Sequence, residues 1–262
     1  RVLFRSITVA DTTKALGDIA KTWRNKLKAK VVSITGSSGK TSTKEIMARI
    51  LSEKYKVNKT IGNNNNHIGV PLTIFSTNEK HEVLVLEHGT NHFGEIQYTA
   101  NIAQPEYALI TNIGSSHIEF LKNRAGVLKE KLALFNAVTA EKGTIFINND
   151  DELLRKSLLH YPKRITYGFG KADIRGKILK YTHEGKTVFE VSYKNKKLNG
   201  TLPLYGEQNA KNFLAAVAVL FKFRLTNNQI ASGLKKLEAI EKRINVKRFG
   251  KFILIDDTYN QR

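Results

Sequence analysis

Short apolar runs alternate with segments of helical periodicity over the first 150 residues. Strand-type runs occupy residues 31–35, 83–86, 107–112 and 144–148, and apolar residues recur at helical spacing within 42–55, 94–102 and 124–138. Upstream, residues 2–8 are typical of a short strand. Asp11 is typical of the N-cap of a helix, which we expect to run to about residue 26, and the basic stretch 24–30 is typical of a linker. Strands that alternate with helices predict an α/β fold whose mainly parallel sheet is flanked by helices.

The pattern changes after residue 173. Residues 174–181, 187–193 and 198–205 are alternating or β-rich runs, separated by the turn residues Glu184-Gly185 and Asn195-Lys196. Such runs predict antiparallel hairpins that are added to the parallel sheet. Helices are predicted at 207–223 and 227–239, and a last strand at 252–255.

A glycine- and serine-rich segment, TGSSGKTST at residues 35–43, lies between a predicted strand and a predicted helix. Glycines let the backbone approach a phosphate closely, and the amides at a helix start point towards an anion. In such a phosphate-binding loop, Lys40 would neutralise phosphate oxygens and the hydroxyl of Thr41 would bind Mg²⁺. The loop is two residues shorter than the common form, because Ile34 stands where the first glycine is expected. The alternative is a chance turn before a helix.

Polar residues follow two of the predicted strands. Glu87 comes directly after the strand at 83–86, and His117 comes a few residues after the strand at 107–112. The carboxyl ends of parallel strands line the ligand crevice of such a sheet. Glu87 could therefore bind Mg²⁺ or polarise a water, or it could cap the following turn. His117 could likewise be a functional or a structural histidine.

An asparagine-rich segment, GNNNNHIGVP, occupies residues 62–71. Asparagine tolerates left-handed turns and offers both hydrogen-bond donors and acceptors. Asn64, Asn65 and Asn66 could hold a polar substrate or could build a tight loop, and composition does not separate the two.

Composition narrows the class of protein. Hydrophobic residues make up 41% and charged residues 25% of the 262 residues, as in ordinary globular proteins. The absence of cysteine excludes disulfides, thiolate metal sites and cysteine nucleophiles. No apolar run is long enough to span a bilayer and no secretory signal is recognisable, so we expect a cytoplasmic protein without membrane insertion. The net charge of +20 favours anionic partners, but the lysines are scattered, and we expect nucleotides or sugar phosphates and no nucleic acid.

The order of the motifs resembles the Mur ligase family of ATP-dependent amide-bond-forming enzymes, over nearly the whole chain. The matching stretches are residues 34–41, 62–73, 87–96, 111–117, 206–212 and 255–260. The shortened glycine loop is itself the family's form. Within the family the chain is most similar to the enzymes that add D-alanyl-D-alanine to UDP-N-acetylmuramoyl-tripeptide. The resemblance implies these two compounds as substrates, an acyl-phosphate intermediate, ATP with two Mg²⁺ as cofactors, and a monomer.

The resemblance also implies roles for individual residues. The expected ATP-phosphate ligands are Gly36, Ser37, Ser38, Gly39, Lys40, Thr41 and Ser42. Thr41 and Glu87 would ligate one Mg²⁺ and His117 a second, and Lys131 would be a carbamylated lysine, with Lys129 as the alternative. Asn209 would contact adenine, Arg243 the γ-phosphate, and Asp257 the ribose or a hinge. The expected catalytic residues are thus Lys40, His117, Lys131 and Arg243, with Asn64, Asn65 and Asn66 on the substrate.

The chain departs from the family at Leu132, Ala133 and Gln208, and at residues 260–262, where the family's motif continues as Asn-x-Asn-Pro. Leu132-Ala133 stands where members carry Gly-Glu, and Gln208 stands where they carry His. We expect residues 1–29 to end an N-terminal substrate-binding domain with its linker, 30–243 to form the central ATP-binding domain, and 244–262 to begin a truncated C-terminal domain. The alternatives are a folylpolyglutamate- or cyanophycin-synthetase-like ligase, a nucleic-acid-stimulated ATPase with a phosphate loop, and a relative that only binds nucleotide.

Overall fold

The computed structural model describes residues 6–237, 245–250, 252–256 and 258. The helices are α1 (Thr12–Lys26), α2 (Lys40–Leu51), α3 (Gly69–Phe75), α4 (Glu95–Ala103), α5 (Ile118–Leu121), α6 (Arg124–Ala140), α7 (Glu152–Arg155), α8 (Glu207–Lys222) and α9 (Asn227–Lys235). The strands are β1 (Lys30–Thr35), β2 (Val57–Lys59), β3 (Val83–Glu87), β4 (Tyr107–Ile110), β5 (Thr144–Asn148), β6 (Arg164–Gly168), β7 (Ile174–Tyr181), β8 (Lys186–Tyr193), β9 (Lys196–Tyr205), β10 (Asn245–Phe249) and β11 (Phe252–Asp256). Arg243 and Asp257 lie outside the described residues.

The main sheet of the described residues has the strand order β2-β3-β1-β4-β5-β6-β7-β8-β9. Neighbouring strands from β2 to β7 are parallel, whereas β8 pairs antiparallel with both β7 and β9. The predicted α/β fold, a parallel sheet extended by antiparallel strands, is therefore confirmed. Strands β10 and β11 form a separate antiparallel hairpin.

Apolar residues on both faces of the strands explain why the central sheet is covered by helices on both sides. Val32 and Ile34 of β1 belong to a core with α2 and α8, whereas Val31 packs with α1 and α3 on the opposite face. Side chains alternate between the two faces of a strand, so a continuous apolar run fills two cores. Helix α6 covers the same face as α1 further along the sheet, over β4 and β5.

The register of the central strands brings three loops to one edge of the sheet. In β1, Ile34 lies beside Glu87 of β3, and Thr35 lies beside Ile110 of β4. The glycine loop, the segment after Glu87 and the segment after Ile110 therefore leave the sheet side by side. This is the edge at which parallel α/β sheets hold their ligands.

Two predictions for the N-terminal helix, its cap at Asp11 and its end near residue 26, are confirmed, and two others are corrected. Asp11 caps α1 as expected, because its carboxylate accepts hydrogen bonds from the amides of Thr13 and Lys14 at 2.8 and 3.0 Å. Residues 6–8, the described part of the strand predicted at 2–8, are not in a strand. Arg24, predicted in a linker, belongs to the last turn of α1 and is buried. Its guanidinium donates to the carbonyls of Ala103 and Leu27 at 2.9 and 3.1 Å, which fastens α1 to the sheet domain.

Several short elements were not predicted. Helix α3 begins within the asparagine-rich segment, at Gly69, and Pro71 is tolerated there because it lies in the first turn, where a missing amide costs little. Strand β4 ends at Ile110, two residues before the predicted end, so residues 111–114 form a loop at the ligand edge. None of the described helices is both long and apolar enough to cross a membrane.

Candidate active site

The glycine loop joins β1 to α2 and has a backbone that requires glycine. Gly36 has φ +152°, and a Cβ there would collide with the hydroxyl of Thr111. Gly39 has φ +77° directly before α2, and a Cβ there would collide with the side-chain oxygen of Asn212. The left-handed backbone and the close neighbours leave no room for a side chain at either position.

The loop after β4 holds the glycine loop in place. The amide of Ser37 donates to the carbonyl of Asn112 at 3.0 Å, and the amide of Ser38 donates to the Asn112 side chain at 3.1 Å. The hydroxyl of Thr111 donates to the carbonyl of Ser38 at 2.5 Å. Ser37 Oγ also accepts from the Gly114 amide and the Ser116 hydroxyl, at 2.8 and 2.9 Å. The loop is thus preorganised by contacts with the neighbouring strand end.

Lys40 is the first residue of α2, and its ammonium folds back over the loop to donate to the carbonyl of Gly36 at 2.8 Å. The same first turn carries Thr41, which faces the cleft, and Ser42, which is buried. A cation over a loop of backbone amides at a helix start is an arrangement suited to a phosphate chain.

Glu87 ends β3 and is buried beside this turn. Its Oε1 accepts hydrogen bonds from Thr41 Oγ1 at 3.1 Å and from Asn65 Nδ2 at 2.9 Å. Its Oε2 is buried and receives no hydrogen bond from the described residues, while the Nζ atom of Lys44 lies 3.5 Å away. The carboxylate is thus fixed between the glycine-loop helix and the asparagine-rich segment.

Lys131 of α6 lines the same cleft, although it is 90 residues further along the chain than Thr41. It is 1% exposed. Burial, and after it the positive charge of Lys40, lower the pKa of Lys131 to about 7, while the charge of Glu130 works in the opposite direction. Lys129, the alternative in the sequence, is exposed and its ammonium lies 5.9 Å from the ring centre of Phe93.

The cleft has a volume of about 470 Å³ and brings most of the predicted phosphate and cation residues together. It is lined by Ser37, Ser38, Gly39, Lys40, Thr41, Asn65, Asn66, Glu87, Glu95, His117 and Lys131, among others. His117 lies at its mouth, exposed and in a left-handed backbone conformation (φ +54°) directly before α5. Such a conformation is uncommon outside glycine.

The three asparagines predicted to hold substrate have different surroundings. Asn65 bonds Glu87, as described, and its carbonyl accepts the amide of Gly89 at 2.8 Å. Asn66 Oδ1 accepts the amides of Ile68 and Gly69 at 3.1 and 2.8 Å, which starts α3. Asn64 is exposed and does not line the cleft. Asn65 and Asn66 therefore shape the loop and also line the cleft, which agrees with either interpretation of this segment.

A second cavity of about 340 Å³ lies between the loop after β4 and α8, and Ser38 of the glycine loop lines both cavities. Tyr167 and Phe169 contribute aromatic rings, and Asp150, Gln208 and Lys211 contribute polar groups. Asn209 is not among its lining residues, because its side-chain amide turns inward and donates to the carbonyl of Tyr205 at 2.9 Å.

Glu130 is a buried residue of the site that sequence reasoning missed. Its carboxylate accepts the amides of Gly94 and Ile96 at 2.7 and 2.8 Å, at the start of α4. It also accepts the hydroxyl of Thr90 at 3.3 Å. Glu130 thereby holds the cleft-lining turn that follows β3 against α6. An acidic residue next to Lys131 was visible in the sequence, but its distant partners were not.

His88 is buried and serves the structure. One ring nitrogen lies 2.8 Å from Ser33 Oγ and the other 2.8 Å from Thr99 Oγ1. Burial lowers the pKa of His88 to about 3, so the ring is neutral and both nitrogens are satisfied. Within residues 6–237, 245–250, 252–256 and 258 there is no cluster of three His, Cys, Asp or Glu residues that could hold a metal by themselves.

A family model described as the Mur ligase middle domain matches residues 34–220. This range includes the glycine loop, Glu87, His117 and Lys131. Among curated proteins, the UDP-N-acetylmuramoyl-tripeptide–D-alanyl-D-alanine ligase of Haemophilus influenzae is 37% identical, with 97% of this chain and 56% of that protein covered. The ligase of the same name from Escherichia coli K12 is 36% identical, with 97% and 57% covered. The chain thus spans about half the length of the curated relatives it matches.

Solved structures show the same likeness. The structure of MurF from Acinetobacter baumannii has a TM-score of 0.90 at 31% identity, with 98% of this chain and 56% of that chain covered. The structure of MurF ligase from Thermotoga maritima in complex with ADP has a TM-score of 0.90 at 29% identity, with 100% and 61% covered.

Proposed function

The chain belongs to the Mur ligase family, and we propose that it is the ATP-using part of a ligase that joins D-alanyl-D-alanine to UDP-N-acetylmuramoyl-tripeptide. The observation that carries the proposal is the convergence of Lys40, Thr41, Glu87 and Lys131 on one cleft at the carboxyl ends of β1 and β3. The names of the curated relatives support the choice of substrates.

ATP would lie with its phosphates on the glycine loop and its nucleoside towards the second cavity. This orientation is supported by Ser38, which lines both cavities. The loop amides and Lys40 would bind the phosphate oxygens. We propose that Asn209 contacts adenine and that Gln208 and Lys211 of the same helix, which line the second cavity, lie beside the nucleoside. The proposed contacts of Arg243 and Asp257 concern residues outside the described ones.

The oxygens at the cleft fit Mg²⁺. Thr41 Oγ1 and Glu87 Oε1 are hard ligands that lie 3.1 Å apart. Adjacent oxygens around an octahedral Mg²⁺ are separated by about 3 Å, given metal–oxygen distances of about 2.1 Å. Mg²⁺ commonly takes only one or two protein ligands and completes its shell with water and substrate phosphates, so a cluster of three acidic residues is not required. When bound, the cation would offset negative charge on the transferred phosphoryl group.

We propose that Lys131 is carbamylated and that His117 assists at a second Mg²⁺. A neutral amine is the form that reacts with CO₂, and the lowered pKa of Lys131 makes that form abundant near neutral pH. The carbamate would exchange a buried amine for anionic oxygens that suit a hard cation. Lys129 is exposed and directed at Phe93, which supports Lys131 as the modified residue.

The reaction proposed is amide formation through an acyl phosphate. The terminal carboxylate of the UDP-linked tripeptide would take the γ-phosphoryl group of ATP, releasing ADP. The amine of D-alanyl-D-alanine would then attack the activated carbonyl carbon, expelling phosphate and losing a proton. Lys40 would stabilise charge on the transferring group by staying over the loop. Asn64, Asn65 and Asn66 would hold the substrate: Asn65 and Asn66 line the cleft, and Asn64 is exposed next to them in the chain.

We further propose that residues 30–243 form the central ATP-binding domain, that 1–29 and 244–262 belong to flanking domains, and that the protein acts as a cytoplasmic monomer without nucleic acid.

The function is tested by measuring phosphate release from ATP, with the full-length protein that contains this sequence. Release should require both UDP-N-acetylmuramoyl-tripeptide and D-alanyl-D-alanine. Release that instead follows a folate with glutamate, or that DNA or RNA stimulates, would favour the corresponding alternative.

A further inference from the structure

Lys44 is a fully buried lysine on the helix that carries the phosphate loop's Lys40 and Thr41. It lies one helical turn beyond Lys40, and its side chain is 0% exposed. Lysine is rarely fully buried unless its charge is paired. Its partners therefore identify what the charge is for.

Three oxygens surround the Lys44 ammonium. Nζ donates to the carbonyl of Gly62 at 3.0 Å, at the start of the asparagine-rich segment. It lies 3.3 Å from Glu45 Oε1 and 3.5 Å from Glu87 Oε2. The other oxygen of Glu45 contacts the ammonium of Lys59. Positive and negative groups therefore alternate from the surface inward to Glu87.

The two oxygens of Glu87 have separate surroundings. Oε1 is held by Thr41 and Asn65, whereas Oε2 is buried without a hydrogen bond and has Lys44 as its neighbouring cation. A buried carboxylate whose partner is removed is left with an uncompensated charge and is free to turn. The ammonium thus fixes which oxygen faces the cleft.

We infer that Lys44 is a positioning residue, which holds Glu87 with Oε1 beside Thr41 and ties the asparagine-rich segment to the same carboxylate through Gly62. The inference rests on the proposed function, in which Glu87 and Thr41 bind Mg²⁺. Lys44 itself is not among the residues that line the cleft. Its contribution is therefore to the Mg²⁺-dependent part of nucleotide binding and not to the contacts of the phosphates with the loop.

The test measures the affinity of this chain for the non-hydrolysable analogue β,γ-imido-ATP, by calorimetric titration in Mg²⁺ and in EDTA. The ratio of the two affinities is the gain from Mg²⁺. Lys44→Met should lower that gain by about tenfold or more, while the affinity in EDTA stays within about twofold. Lys44→Arg, which keeps a positive donor, should recover most of the gain. Lys54→Met is the matched control, because Lys54 donates to the carbonyls of Phe223 and Arg224 at 3.3 and 3.1 Å, away from the cleft.

An unchanged gain in Lys44→Met, or an equal loss in Mg²⁺ and in EDTA, would overturn the inference alone. A chain without any substitution that gains nothing from Mg²⁺ would overturn the proposed cation site and the inference with it. Thermal unfolding establishes that each variant is folded. If Lys44→Met does not fold, NMR of the lysine Nζ nitrogens in the unsubstituted chain decides. The Lys44 signal is identified as the one that is absent from the spectrum of Lys44→Arg. In the unsubstituted chain it should shift when Mg²⁺ is added to the bound nucleotide analogue, and a signal that does not shift would contradict the inference.

Discussion

Lys131 and Lys40 line one cleft, and burial together with the charge of Lys40 lowers the pKa of Lys131 to about 7. A lysine with an ordinary pKa near 10.5 would be neutral in only about one molecule in three thousand at pH 7, whereas a pKa near 7 leaves about half neutral. The cleft thus holds a cation for phosphate beside an amine that can react. The two lysines differ in burial, because Lys131 is 1% exposed whereas Lys40 is half-buried.

Carbamylation should be visible directly. With ¹³C-labelled bicarbonate at pH 7.5 to 8, the chain should show a carbamate carbonyl resonance by NMR that is absent from Lys131→Ala. Lys129→Ala is the control and should keep the resonance, because Lys129 is exposed. A resonance lost in Lys129→Ala and kept in Lys131→Ala would transfer the assignment to Lys129.

Lys131 should also make stability depend on pH. In CO₂-free buffer the unfolded chain keeps this amine protonated up to about pH 10.5, while the folded chain releases the proton near pH 7. The unfolded state binds more protons between these values, so the free energy of unfolding should rise with pH in that window, on the order of 1 kcal/mol per pH unit. Below the pKa of about 7 that Lys131 has in the folded chain, the amine is protonated in both states and its burial destabilises the fold to the full extent. Urea unfolding at pH 7 and 8.5 should show this rise, and Lys131→Met should lack it. Equal pH dependence in both chains would contradict the burial argument.

Gly39→Ala should damage both stability and nucleotide binding. The position combines φ +77° with a Cβ that would meet the Asn212 side chain at the start of α2. We expect a loss of about 1–3 kcal/mol in the free energy of unfolding, and weaker binding of the nucleotide analogue. Gly185→Ala is a matched control with φ +85° and ordinary contacts in the β7–β8 turn. It should show backbone strain without any change in nucleotide affinity, and a similar affinity loss in both variants would contradict this account.

Arg24→Met should loosen α1. The guanidinium donates to the carbonyls of Ala103, Leu27 and Gln104, and those groups would lose their partner. The ion pair with Glu106 adds little, since the Glu106 side chain is 47% exposed. We expect a loss of about 2–4 kcal/mol in the free energy of unfolding, mainly from unpaired buried carbonyls. Lys26→Met, at an exposed position of the same helix turn, should change stability by less than about 0.5 kcal/mol.

The parts of the fold that the sequence predicts well are those fixed by local pattern. Apolar runs and helical periodicity predicted β1, β3, β4 and β5 and the helices α2, α4 and α6 between them, but not the short elements β2, α3 and α5. The strand-end rule placed Glu87 and the glycine loop at one edge. Local pattern was sufficient there because the strands are parallel. Their carboxyl ends meet at the same edge of the sheet, so the residues that follow each strand lie together.

The residues that could not be predicted depend on partners far away in the chain. Arg24 stands in a basic stretch that is typical of a linker. Its guanidinium nevertheless donates to the carbonyls of Ala103 and Gln104, about 80 residues later in the chain. In the sequence, Lys44 looks like any surface lysine. The partners of its buried ammonium, Glu87 in β3 and the carbonyl of Gly62, come from later segments of the chain. Asn65 offers the same donors to a substrate as to a carboxylate, and its bond to Glu87 depends on a strand that lies 22 residues later in the chain.

The central claim, that this cleft binds Mg²⁺ and the phosphates of ATP, is tested most directly by titrating the chain with β,γ-imido-ATP in the presence of Mg²⁺. We predict saturable binding that Mg²⁺ strengthens and that Lys40→Ala weakens by at least about a hundredfold, or about 3 kcal/mol, since a charge-assisted contact with the phosphates is lost. Binding that is absent in the unsubstituted chain, or that is equally tight in Lys40→Ala, would contradict the account.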